Sequence, residues 1–149
     1  MTVCFAPEAS SSIAFQRSHH LRWRSLRALS GSPAVFDVVR AAQAAGVAAA
    51  VAGATVHDVD RACREVITAA GFGDAFFTRT GHGLGLEVHE PPSVVGGNHL
   101  VLEPGMVITV EPGIYLSGRF GVRIEDTIAI TGSAADRLTA SDRDLVLAG

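Results

Sequence analysis

Gly81-His82-Gly83-Leu84-Gly85-Leu86-Glu87-Val88-His89-Glu90-Pro91-Pro92 decides how the rest of this chain is read. Glycine stands at 81, 83 and 85, so the backbone around His82 can approach a neighbour closely or adopt dihedrals that other residues avoid. A phosphate-cradling loop would look different, because no helix start and no lysine follow the glycines. Downstream lie Glu111-Pro112-Gly113-Ile114-Tyr115 and Val122-Arg123-Ile124-Glu125-Asp126. Two histidines, two carboxylates and an arginine are thereby gathered within about one small fold.

Around these stretches the apolar period is 2. Over Met106–Glu111, Val107, Thr109 and Glu111 share one face, and Met106, Ile108 and Val110 the other. Gly121–Ile130 reads as one strand, with Arg123, Glu125 and Thr127 opposed to Val122, Ile124, Ile128 and Ile130. Gly96-Gly97 and Glu103-Pro104-Gly105 are turns. Before Phe72 the period is helical. Ser32 and Pro33 open a helix carrying Phe36, Val39, Gln43, Val47 and Ala50, and Gly53 ends it. Thr55 caps a second helix with Asp58 three residues on; Val59, Ala62, Cys63, Val66 and Ile67 form its stripe and Gly71 stops it. Gly46, inside the first helix, points to a close helix contact. Helices followed by strands predict an α+β fold, with the helices on one face of a curved antiparallel sheet.

The chain has 149 residues, 48% of them hydrophobic, and a net charge of −3. It is long enough for a real core, and nothing in its charge favours nucleic acid or a membrane surface. All 12 basic residues are arginine, which reads as genome composition. Cys4 and Cys63 form neither a disulfide framework nor a ligand pair, and a reducing cytoplasm is the expected compartment. No apolar run approaches a membrane span, and no secretory signal is visible. Residues 1–31 are rich in Ser and Arg, lack a period, and read as a poorly ordered tail.

Glu111 and Glu125 fall on strand faces that also carry a threonine and an arginine. Arg123 and Glu125 stand about 7 Å apart along the strand. Taken alone, this is either a solvated face with an ion pair or a site. Pro112-Gly113 and Asp126 place both carboxylates at strand ends, where sites are commonly built. His82 alone is either a hydrogen-bonded histidine or a ligand. Mixed histidine and carboxylate donors suit manganese, iron, cobalt or zinc, and paired metals of that kind activate water.

Taken together, Arg79–Pro92, Leu102-Glu103-Pro104-Gly105-Met106, Glu111–Tyr115 and Gly121–Asp126 resemble the "pita-bread" metallopeptidases, closest to the Xaa-Pro aminopeptidase and prolidase branch. The resemblance runs from about Phe36 to about Leu147. It implies a pita-bread fold, here truncated to roughly its second half, and hydrolysis of peptides with proline in second position. It implies His82, Glu111 and Glu125 as metal ligands, His89 as a substrate-binding and proton-moving histidine, Glu111 as general base, and Arg123 as the arginine beside the second glutamate. Manganese is the expected ion, with cobalt, zinc or iron as the other candidates.

The family site holds two metals and adds two aspartates from an upstream hairpin. Residues 1–31 contain no aspartate, and Asp37, Asp58 and Asp60 lie on helices. Arg17-Ser18-His19-His20 stands in the hairpin's place, and Thr78 stands where the branch often has a substrate-binding histidine. Residues 1–31 therefore read as foreign to the family, as a frameshift or mis-set start would make them, with 32–149 a partial catalytic domain. At most one metal, and feeble or absent activity, are expected of the chain as written. A half-sheet would leave an open edge and a bare apolar face, so a second copy is an expected partner. A non-catalytic binding module on the same scaffold is the other reading.

Overall fold

The computed structural model of the chain describes residues 2–5 and 32–140. Helix α1 spans Ser32–Ala49 and buries Val35, Phe36, Val39 and Ala42. Helix α2 spans Val56–Ala69. Its N-terminus is the reciprocal cap expected from sequence: Thr55 Oγ1 accepts from Asp58 N, and the Asp58 carboxylate accepts from Thr55 N. Gly53 and Gly71 take φ of +89° and +83° just beyond the two helices, a backbone shape other residues resist. The helices pack together at Gly46, where a Cβ would run into Cys63 Sγ and come within 2.9 Å of Val110 Cγ1.

Eight strands are present among the described residues: β1 (Thr2–Phe5), β2 (Gly81–Gly83), β3 (Glu90–Val94), β4 (Val107–Val110), β5 (Gly113–Leu116), β6 (Phe120–Ile124), β7 (Asp126–Ile130) and β8 (Ala135–Arg137). They form a five-stranded sheet in the order β3-β2-β4-β7-β8 and a three-stranded sheet in the order β1-β6-β5, with every pairing antiparallel. The single curved sheet and the unbroken strand over Gly121–Ile130 expected from sequence are therefore corrected. The chain leaves the larger sheet after Val110, makes the β5–β6 hairpin, and re-enters at Asp126. Pro112 has no N–H to give to a ladder, which favours the break at that point. In-out alternation nevertheless continues across it, which is why the sequence reads as one strand.

The core lies between the helices and the sheets. Val39, Val59, Cys63 and Ile67 from the helices pack in one cluster with Ile108, Val110, Ile114, Ile124 and Ile128. Fully burying an aliphatic side chain of that size contributes about 1.5–3 kcal/mol against leaving it in water. No helix among the described residues is long and apolar enough to cross a membrane.

Residues 1–31 were expected to stand outside the fold. Thr2–Phe5 do not. They pair with β6 from Thr2 opposite Ile124 to Phe5 opposite Gly121. Thr-Val-Cys-Phe is a short, uncharged run of strand-favouring composition, and an uncovered β6 would present a row of unpaired backbone groups. His19 and His20 lie outside the described residues.

Candidate functional site

Both sheet crossings carry a carboxylate. Glu111 follows the last residue of β4, and Glu125 is the single residue between β6 and β7. Glu111 is 7% exposed and His82, in the middle of β2, is 4% exposed. Glu111 N donates to Thr80 O at 2.7 Å, fastening the first crossing to the start of β2. His82 N donates to Thr109 Oγ1 at 3.0 Å, and Thr109 Oγ1 donates to Glu111 Oε1 at 3.2 Å. Arg123 Nη1 donates to Glu111 Oε2 at 2.7 Å. Both oxygens of this buried carboxylate are therefore engaged, and its charge faces a cation. A carboxylate left alone there would be costly.

The glycines around His82 have a simpler purpose than unusual dihedrals. None of the three is among the positive-φ glycines. A Cβ on Gly81 would strike the Thr109 carbonyl, and one on Gly83 the Pro91 carbonyl. The strand is flanked too closely on both sides for side chains, and that closeness fixes His82 against Glu111.

His82 Nδ1 lies 2.9 Å from Gly83 O. A carbonyl only accepts, so Nδ1 donates to it, and Nε2 lies 3.3 Å from Glu111 Oε1. A carboxylate oxygen only accepts, so a proton on Nε2 or a cation between the two atoms satisfies the pair. The chemistry of this pair suits a metal; the number of donors does not. A metal held for catalysis takes about three protein donors. Among the described residues, no group of three or more His, Cys, Asp or Glu is placed to hold one. Of the expected set of His82, Glu111 and Glu125, the structure sets His82 in contact with Glu111. Two carboxylates repel, and Arg123 takes up Glu111. The described residues do not by themselves fit a resident metal.

Glu125 feels this arrangement. Burial, then the negative charge of Glu111, push its carboxyl above the usual range, with Arg123 working against them. Tyr115, on β5, is raised by burial first and by both carboxylates, while Arg123 lowers it. His89 is exposed, with its ring centroid 4.4 Å from that of His82 in an edge-on arrangement. The structure therefore brings together His82, His89, Glu111 and Arg123, with Glu125 in electrostatic reach. Arg123 pairs with Glu111 rather than with its strand neighbour. The β5–β6 register sets Gly113 opposite Arg123, which makes Glu111 its diagonal neighbour on the same face.

Several residues of the site were not singled out from sequence. Thr109 links His82 to Glu111, and its only signal was a shared strand face. Glu90 folds the 84–89 loop by accepting from Glu87 N at 2.6 Å. Asp60, 1% exposed, accepts from Thr80 Oγ1 at 2.6 Å and from Arg64 Nε at 2.7 Å, anchoring α2 to the residue that leads into β2. A carboxylate beside the α2 stripe with arginine four residues on was the readable sign. Asp126, also 1% exposed, accepts from Gln43 Nε2 at 2.7 Å and from Thr139 Oγ1 at 2.8 Å. A concavity of about 540 Å³, lined by His57, Asp60, Arg64 and Gly96 among others, shares no residue with the His82–Glu111 pair.

Comparison with known proteins places these observations. Residues 26–132 match the family described as metallopeptidase family M24. The chain is similar to an Xaa-Pro dipeptidase of Lactobacillus helveticus, 48% identical over 111 residues, covering 74% of this chain and 30% of that protein. Among solved structures it resembles the prolidase from Pyrococcus furiosus, with TM-score 0.73 and 45% identity over 74% of this chain and 33% of the other. It also resembles an X-Pro aminopeptidase from Thermotoga maritima MSB8, with TM-score 0.76 and 39% identity over 78% and 33%. The chain spans about a third of the length of these relatives.

Proposed function

The chain belongs to metallopeptidase family M24, and from that premise we propose that it is a portion of a hydrolase that cleaves peptides with proline in second position. The fold expected from the resemblance is the one observed, an α+β pita-bread fold present in part. The observation that carries the proposal is the buried run of contacts from His82 through Glu111 to Arg123.

The roles follow from position. Hydrolysis of an amide needs a group to take a proton from the attacking water and return it to the leaving nitrogen. Glu111 is the proposed base, oriented by Arg123 and Thr109. His89, exposed beside His82, is the proposed substrate-binding group and proton carrier. His82, Glu111 and Glu125 are the donors this chain would bring to a divalent ion, manganese for preference. Of these donors His82 and Glu111 stand in contact, so the proposed capacity is one ion at most, held weakly. The proposed compartment is the cytoplasm. The described free thiol, Cys63, is buried, and burial pushes it up to about 12.

Among the described residues no three-donor group is placed to hold a metal, which favours a second reading for this chain alone, a non-catalytic module on the same scaffold. One set of measurements separates the readings. Purified chain is assayed on Xaa-Pro dipeptides and Xaa-Pro-Xaa tripeptides with manganese or cobalt, beside calorimetric metal titration. The expected result is no measurable turnover, weak binding of at most one ion, and weak binding of a proline peptide that is lost in His89→Ala. Clear turnover abolished by His82→Ala, or tight binding of two ions, overturns the view of an incomplete site. Metal and peptide binding that ignore His82, Glu111 and His89 would overturn the peptidase reading itself.

A further inference from the structure

The outer edge of β6 borders the candidate site. Gly121 to Ile124 run along it, Arg123 reaches Glu111, and Glu125 follows directly. Its inner edge is taken by β5, from Gly113 opposite Arg123 to Leu116 opposite Phe120. Its outer edge is taken by β1, with Thr2 opposite Ile124, Val3 opposite Arg123, Cys4 opposite Val122 and Phe5 opposite Gly121. β1 lies outside the residues that match the family, 26–132, whereas β6 lies within them. A strand outside the residues matched to the family is thus paired, in regular antiparallel register, with a strand inside them beside the site.

We infer that the outer edge of β6 is a strand-acceptor surface, and that its occupant is an extended, uncharged polypeptide segment running antiparallel to it with its amino end toward Glu125. β1 is the occupant this chain supplies for itself. The reasoning is that of sheet extension. An edge strand presents N–H and C=O groups at fixed spacing, and any segment of strand-forming composition satisfies them through its main chain, whatever its side chains. Thr-Val-Cys-Phe has that composition and carries no charge to desolvate. Tethering gives β1 a local concentration of about millimolar order, so a free segment of like sequence competes poorly while β1 is seated. The inference rests on register and topology and is independent of the peptidase reading.

Proline scanning in the full chain tests it. In an antiparallel pair, successive residues turn their N–H groups alternately toward and away from the partner. Of Val3→Pro and Cys4→Pro, therefore, one removes a bond to β6 and the other replaces an N–H that faces solvent. Amide hydrogen exchange reads the protection of β6. The probe is a fluorescent synthetic hexapeptide of the first six residues with serine in place of cysteine, and the same peptide with proline at its third and fourth positions is the control. The expected result is that one proline variant loses protection over Val122–Ile124 and binds the hexapeptide at least tenfold more tightly than the parent chain. Saturating peptide restores the protection, the other proline variant behaves like the parent, and the proline-bearing peptide binds neither. Equal protection and equal peptide affinity in all three proteins overturns the inference. So does loss of protection that the hexapeptide fails to restore.

Discussion

Arg123 and Glu125 share a strand face, and their neighbours treat them oppositely. Arg123 gives Nη1 to Glu111; burial works against its charge, yet Tyr115, Glu111 and Glu125 together hold its pKa above the ordinary arginine value. Glu125 is disfavoured as an anion by burial and by Glu111. Its carboxyl therefore keeps its proton to a higher pH in the folded chain than the ordinary 4.5 of the unfolded one. In the folded state at neutral pH the ionised group costs stability; below the ordinary carboxylate range both states are protonated and the cost is gone. Glu125→Gln should accordingly raise the midpoint of thermal unfolding at pH 7, by about 2–4 °C for each 1 kcal/mol relieved, and the gain should vanish near pH 4. A gain that grows as pH falls would contradict this. Arg123→Ala should act the other way, costing about 1–3 kcal/mol in urea unfolding because it leaves Glu111 buried without its cation. The same change made on Glu111→Gln should cost clearly less, since the charge it served is gone.

Elements formed by neighbours in sequence were legible; those set by distant register were not. The apolar stripes of α1 and α2 and the Thr55–Asp58 cap depend on spacings of three and four residues, and they were read correctly. Gly46 was read as a close contact, and Cys63 and Val110 supply it. Gly46→Ala should therefore destabilise the chain by about 1–3 kcal/mol through overpacking, although alanine is the better helix former by about 1 kcal/mol. Cys63→Ala should recover most of that loss, because the thiol is the nearest obstacle; a double variant as unstable as the single would place the clash elsewhere. The break between β6 and β7 was not legible, because alternation of buried and exposed positions continues while the pairing partner changes from β5 to β4. For the same reason the candidate site was read in part. His82, Glu111 and Arg123 were named, but the partner of Arg123 and the linking hydroxyl of Thr109 follow from cross-strand register. β1 and β8, at four and three residues, are too short for a period to show.

At the scale of the whole molecule, several large apolar side chains among the described residues face solvent. Phe77 is 71% exposed, Leu86 is 105% exposed and Val88 is 68% exposed, the last two on the loop between His82 and His89. Ordered surface of this kind marks contact regions. The relatives have about two thirds of their length outside the matched part, and in this chain a second copy is the partner proposed for the exposed side chains. Light scattering behind size exclusion should show a mass that rises from monomer toward dimer with concentration, and the unfolding midpoint should climb with it. Leu86→Ser with Val88→Ser should shift the balance to monomer without lowering the midpoint at high dilution. A monomer at every concentration would argue against self-association.

Glu125 and Asp126 are adjacent letters with opposite addresses. The first lies on the face of Arg123 and Thr127, near Glu111; the second is held inside by Gln43 and Thr139. Substitution at either position changes one environment. Loss or gain of a single residue along Phe120–Ile124 would instead exchange the two, sending the site's acid into the interior and the interior's acid outward, together with each neighbour downstream. Tolerance to changes in length should therefore be lowest where no turn can absorb the shift, and highest at Ser117–Arg119, where Gly118 takes φ of +69° between β5 and β6. In a library of one-codon deletions, the survivors would cluster in that turn and be missing from the run that ends at Asp126.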